Sequence, residues 1–247
     1  MFKKSLFLLL AATGLNAQPY QSDFQPDSGN ATTGGGGGCN LFTNCSFETG
    51  DTTGWVINDI NSPFIPISVV PDGTDIGFGF FLTQATDGAF SLIAGFDGDG
   101  PGVVEFAQDV VLPSDISTIT FDYRGAWDLQ GFGAAVDRTM SLEVQPSGGG
   151  AALQSDLILT ATAGDLVTDS GPQSASVGVS SFAGQAVRIA LVMDIPEDFT
   201  GPAFIQFDNF QGGFPPPRVP TLGMMSLALL GGLMIAVTVL VRRKVQL

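Results

Sequence analysis

No histidine occurs among the 247 residues. Its absence excludes the Ser-His-Asp and Cys-His nucleophile arrangements, the HExxH zinc motif and most zinc centres, all of which need an imidazole. Lysine is missing from residues 18–217, where three arginines, Arg124, Arg138 and Arg188, stand against all 24 acidic residues. That stretch therefore balances at −21, against −15 for the whole chain. Such a surface repels phosphates and anionic headgroups, so nucleic acid is excluded as a partner. It favours divalent cations, neutral ligands or cationic partners, and it equally serves plain solubility in salt. Cysteine is limited to Cys39 and Cys45. In an oxidising compartment these pair into a loop enclosing five residues, worth about 2 kcal/mol. A two-thiolate metal site is the alternative. Glutamates are few as well; Glu48, Glu105, Glu143 and Glu197 form no paired E-x-D-x-x-E motif. No Gly-x-Ser-x-Gly elbow occurs, and the glycine run 34–38 leads into no helix. Enzyme chemistry has thin support, so the chain reads as non-enzymatic.

Long apolar runs are confined to the two ends. Residues 222–241 carry no charge, and Arg242, Arg243 and Lys244 follow at once. About 20 apolar residues at ~1.5 Å each span the ~30 Å core of a bilayer. By the positive-inside tendency the basic cluster is a cytoplasmic flank and the preceding chain faces outward. A buried core helix is the alternative reading. At the other end, Lys3 and Lys4, an apolar stretch over 6–12 and Leu15-Asn16-Ala17 form a secretory signal peptide, residues 1–17. An uncleaved anchor is the alternative there. Residues 18–38 are a Gly-rich disordered linker, and 213–218, with Pro215, Pro216 and Pro217, form an extended stalk. The expectation is an exported protein at the cell surface, the outer face of a membrane or the extracellular matrix, with one C-terminal transmembrane helix.

Between the ends, residues 39–212 show short β-branched and aromatic runs broken by Gly, Asp, Asn, Ser and Pro. Strands are predicted over 64–70, 77–83, 89–94, 103–112, 117–123, 139–145, 156–162, 174–179, 186–193 and 203–210. Ile119, Phe121 and Tyr123 share one face, as do Met140, Leu142 and Val144, and Val187, Ile189 and Leu191. Period-two patterning with frequent turn signals predicts an all-β antiparallel sandwich.

Four segments resemble the galactose-binding-like jelly rolls, including several carbohydrate-binding modules. They are Asn44-Cys45-Ser46-Phe47-Glu48-Thr49-Gly50-Asp51 with Gly54-Trp55; Gln108–Pro113 leading to Ile119–Arg124; Ser181–Ile189; and Phe207-Asp208-Asn209-Phe210. The resemblance covers most of 39–212 and implies a jelly roll. It also implies a structural calcium ion held by Glu48 and Asp208 with nearby carbonyls, since calcium takes six to eight oxygens. The other reading has Glu48 capping a turn and Asp208 accepting backbone N–H groups. Asp97-Gly98-Asp99-Gly100 and Asp72-Gly73-Thr74-Asp75 match no EF-hand loop and read as turns.

The tail, 219–247, is similar to the IPTL-CTERM branch of the PEP-CTERM-type sorting signals of Gram-negative bacteria. Val219, Pro220, Thr221 and Leu222 carry the motif; Gly223-Met224-Met225-Ser226 stands where that family continues S-x-W-G. The resemblance implies a membrane partner enzyme of the exosortase or archaeosortase type.

Sugar binding needs aromatic faces flanked by polar groups. Arg124-Gly125-Ala126-Trp127-Asp128 offers them: Trp127 to stack, Arg124 and Asp128 to hydrogen-bond, Phe132 to extend the platform. A large aromatic closing one end of the sandwich competes for Trp127. Trp55, Phe78, Phe80 and Phe81 read as core. The expected function is glycan binding or adhesion, with a purely structural matrix protein and a polysaccharide-degrading enzyme as alternatives.

Overall fold

Strand alternation sorts the side chains of the central strand into two sets. Ile119, Phe121 and Trp127 are buried in the main core, while Thr118, Thr120, Asp122 and Arg124 lie on the opposite face. The computed structural model describes residues 39–215. In chain order the strands are β1 (Val56–Asn58), β2 (Ser68–Pro71), β3 (Phe90–Gly95), β4 (Gly102–Val111), β5 (Thr118–Trp127), β6 (Arg138–Pro146), β7 (Gln154–Ala161), β8 (Thr168–Asp169), β9 (Gln173–Gly178), β10 (Ala186–Ile195) and β11 (Ala203–Gly213). Short 3-10 turns occupy Gln130–Phe132 and Ser180–Phe182.

One sheet runs β1-β4-β10-β6-β7; the other runs β2-β3-β11-β5, with β8 and β9 both pairing β5. Every pairing is antiparallel. The all-β sandwich read from the sequence is therefore the fold. Its inner faces enclose Met140, Leu142 and Val144, Val187, Ile189 and Leu191, and an aromatic group. Trp55 lies in that group, 5.0 Å from Phe210 and stacked at 5.7 Å on Phe42, as its sequence reading had it. Such ring pairs contribute about 0.5–1.5 kcal/mol each beyond their burial. The register of β11 against β5 shifts between Asp208 and Gln211, with Asn209 in the left-handed region at φ 54°. One extra residue in a strand resets its alternation. It lets Phe207 and Phe210 both enter the core while Asp208 stays on the far face.

Residues 39–50 fasten onto the end of β11. The Asn40 side chain exchanges hydrogen bonds with both backbone groups of Gly212, at 2.8 Å each, and Phe210 N–H donates to Cys45 O at 2.9 Å. Cys39 and Cys45 are joined by a disulfide.

The expected C-terminal transmembrane helix is corrected. Among the described residues no helix is long and apolar enough to cross a membrane. The helical segments there are three-residue turns, whereas a span needs about 20 residues. The membrane contact through that helix and the membrane-anchored location are corrected with it. The segment read as spanning lies outside the described residues. So do the signal peptide 1–17, the linker 18–38, the motif Val219, Pro220, Thr221 and Leu222, and the flank Arg242, Arg243 and Lys244.

Candidate ligand-binding surface

The outer face of the second sheet is covered lengthwise by the connection between β2 and β3, residues 72–89. Its attachment follows alternate residues of β11. Phe80 packs on Phe204, with ring centroids 5.8 Å apart. The Gln206 side chain grips the backbone of Gln84, accepting its N–H at 3.0 Å and donating to its carbonyl at 2.5 Å. Asp208 Oδ2 then accepts the N–H of Thr86 at 2.6 Å and of Asp87 at 3.1 Å. Ile76, Phe81, Ile93, Ala126 and Phe204 form a second, smaller core beneath this connection.

Its tip is a hairpin in which Gly77, Phe78 and Gly79 all have positive φ (92°, 56° and 69°). Glycine adopts this region freely, but a phenylalanine there is strained. Phe78 is 54% exposed. Its ring lies 5.6 Å from Phe64, 5.9 Å from Phe204 and 6.5 Å from Phe132. Phe64 and Phe132 are themselves 40% and 54% exposed. Three aromatic rings thus share an open patch over a buried aromatic floor. Contiguous exposed apolar groups of this kind mark interaction surfaces.

A cleft of about 100 Å³, walled in part by Ala85, Tyr123 and Pro172, lies farther along the same sheet. Asp122, Arg124, Gln173, Gln206 and Asp208 line it, with Thr86 and Gln84 from the covering connection. Asp122 and Asp208 stand directly opposite each other across the β5–β11 ladder. Both accept from the Thr86 hydroxyl, at 2.7 and 3.3 Å. Asp122 also accepts from Ser174 Oγ at 2.5 Å and Asn209 Nδ2 at 3.1 Å, and Asp208 Oδ1 from Asn209 N at 2.7 Å. Asp208 is 1% exposed. Burial outweighs its N–H donors and pushes its carboxyl up to about 7.

The expected glycan residues do not form one platform. Trp127 is 4% exposed and sits in the main core, its Nε1–H donating to Asp165 Oδ2 at 3.0 Å. Strand β5 runs on to Trp127, so the indole falls on the inner face with Phe121. Arg124 lies on the outer face, forking onto Asp169 at 2.5 and 3.0 Å with its guanidinium 4.4 Å above the Phe81 ring. Asp128 Oδ1 caps the turn below Phe132 by accepting Gly131 N–H at 3.0 Å. Phe132 alone joins the aromatic patch. Phe64, read only as a strand start, and Phe78, read as core, are the residues that sequence reasoning missed; the glycines flanking Phe78 were the available signal of a tip.

Glu48 and Asp208 are each taken up by backbone N–H groups of one segment. Glu48 Oε1 accepts Ala89 N–H at 2.8 Å and Phe90 N–H at 2.9 Å, and a methyl at Gly88 would overlap its carboxylate. Asp208 presents both oxygens to N–H donors. A calcium ion needs six to eight oxygens turned to a common centre, whereas these carboxylate oxygens are turned to N–H donors. Among the described residues no group of three or more acidic or Cys side chains could hold a metal.

No protein-family model matches the chain, and no curated protein matches it in sequence. Solved structures similar to it include TmCBM61 in complex with β-1,4-galactotriose, at 14% identity and TM-score 0.43, covering 70% of this chain and 97% of that one. A carbohydrate-binding module specific for non-crystalline cellulose is similar at 13% identity and TM-score 0.42, covering 72% and 97%. The K1 cleaved adhesin domain of Lys-gingipain from Porphyromonas gingivalis W83 is similar at 14% and 0.41, covering 69% and 96%. The likeness is one of fold.

Proposed function

We propose that this domain is a non-catalytic binding module whose ligand is a glycan. The observation that carries the reading is the open patch of Phe64, Phe78 and Phe132, with a cleft on the same sheet lined in part by carboxylate, amide and guanidinium groups. Aromatic faces take the C–H side of a pyranose ring and the polar groups take its hydroxyls. The strained backbone at Phe78 supports it, because strain of order 1–3 kcal/mol persists where the surroundings enforce it for use.

Hydrolysis is the competing use of a facing carboxylate pair, since a glycosidase sets two carboxyl groups about the scissile bond. Asp208 is poorly suited to that role. It is buried, and its oxygens are taken up by Thr86, Asp87 and Asn209. Incubation with a polysaccharide panel tests the non-catalytic reading: no new reducing ends are expected, and their appearance would reverse it. Binding to the same panel, with Phe78→Ala as the control, tests the site.

A further inference from the structure

The charge of the ligand follows from the surface that would hold it. Of the 24 acidic side chains of the chain, all but Asp23 and Asp27 lie within the described domain, which has no lysine or histidine. Its three arginines are each drawn into an ion pair, Arg124 with Asp169, Arg138 with Asp97 and Arg188 with Asp109. The domain therefore offers strong negative potential, which attracts cations and repels uronates and sulfated sugars.

Two carboxylates sit on the turns that build the patch. Asp75 Oδ1 accepts Gly77 N–H at 2.9 Å at the foot of the tip carrying Phe78, and Asp128 braces the turn carrying Phe132. Exposed Asp198 adjoins exposed Phe199, whose N–H donates to Gly98 O at 2.8 Å. Phe64 N–H, in turn, bonds to Asp97 O at 2.9 Å, so Phe199 belongs to the same end of the sandwich. Phenyl faces bordered by carboxylates attract an ammonium group through the ring quadrupole and the charge together.

The ring spacing adds a second constraint. From Phe64 to Phe78 and from Phe78 to Phe132 the steps are 5.6 and 6.5 Å, with planes turned by 55° and 82°. These are ordinary packing distances for aromatic pairs, and planes turned this far offer no flat platform for a crystalline face.

Resting on the glycan reading, we infer that the ligand is an amine-bearing glycan, a chain of hexosamine units with free ammonium groups, seated on Phe64, Phe78 and Phe132. The test is calorimetric titration of the full chain at mildly acidic pH. The probes are chitosan oligosaccharides, N-acetylated chitin oligosaccharides of equal length, oligogalacturonate and oligolysine. The chitosan oligomer is expected to bind about tenfold more tightly than its acetylated counterpart at low salt. Added salt and the double variant Asp75→Asn/Asp128→Asn should each narrow that gap, and Phe78→Ala should abolish binding of both sugars. Equal affinity for the free and acetylated oligomers would overturn the inference and leave the glycan reading standing. Oligolysine binding as tightly as the chitosan oligomer would overturn it in favour of a basic polypeptide or plain charge attraction. Binding of none of the sugars, nor of any on a wider panel, would remove the glycan reading itself.

Discussion

Arg138 Nη2 lies 3.0 Å from Asp97 Oδ1, with the two side chains 0% and 3% exposed. The guanidinium also donates to Phe96 O, to Gly201 O at 3.3 Å and to Thr200 Oγ1 at 3.0 Å, while its Nε has no partner among the described residues. It thereby ties the loop after β3 and the loop before β11 to the start of β6. Burial pushes the Asp97 carboxyl up and Arg138 pulls it back. Removing one partner strands a buried charge, so Arg138→Ala should cost about 3–5 kcal/mol in urea unfolding. Replacing both, as Arg138→Met with Asp97→Leu, should recover most of that loss. Equal destabilisation by the single and double variants would contradict this role.

Asp208 gives the domain a pH dependence of definite sign. Its folded value of about 7 lies above the ordinary carboxylate value of about 3.9. The native state therefore holds a proton that the unfolded chain releases. The stability this contributes is complete below the unfolded value and is lost as pH rises through about 7. The melting temperature of the wild type should fall relative to Asp208→Asn between about pH 5 and about pH 8. A constant difference across that window would show that Asp208 does not titrate there.

Chelation separates the two uses of Glu48 and Asp208. With both carboxylates bound to backbone N–H groups of 86–90, chelator should leave the melting temperature unchanged. A fall of several degrees, restored by calcium, would mean that a metal rearranges this segment. Gly88→Ala should destabilise by itself, because the new methyl overlaps Glu48 in a left-handed turn.

What the sequence revealed of this fold, and what it concealed, depends on where alternation survives. Met140-Leu142-Val144 and Val187-Ile189-Leu191 are regular, and β6 and β10 were read nearly whole. In β5 the same odd-numbered pattern reaches Trp127 through Gly125, which has no side chain to signal it. Ending the strand at Tyr123 put the indole on the wrong side. Residues 77–83 read as a strand because they are aromatic, but three successive positive φ values make a tip. Phe80 and Phe81 were rightly read as packed, though against the outer face of the sheet and not between the sheets. The cleft joins Asp122 to Asp208 and Gln84 to Gln206, across 86 and 122 positions of sequence, and no local pattern records such pairings.

Strain and function can be divided at one position. Phe78→Gly removes a left-handed side-chain penalty of about 1 kcal/mol and also loses ring contacts with Phe64 and Phe204. Thermal stability should stay within about 1 kcal/mol of wild type, while ligand binding is lost. A collapse in stability would assign the ring to folding alone.

The central claim is that the exposed rings bind a sugar chain. Titration of the full chain and of its Phe78→Ala variant against a soluble glycan panel tests it most directly. Saturable binding of at least one glycan by the wild type, weakened about tenfold or more by Phe78→Ala with an unchanged melting temperature, is the expected result. A wild type that binds no glycan, or one whose binding is untouched by Phe78→Ala, would contradict it.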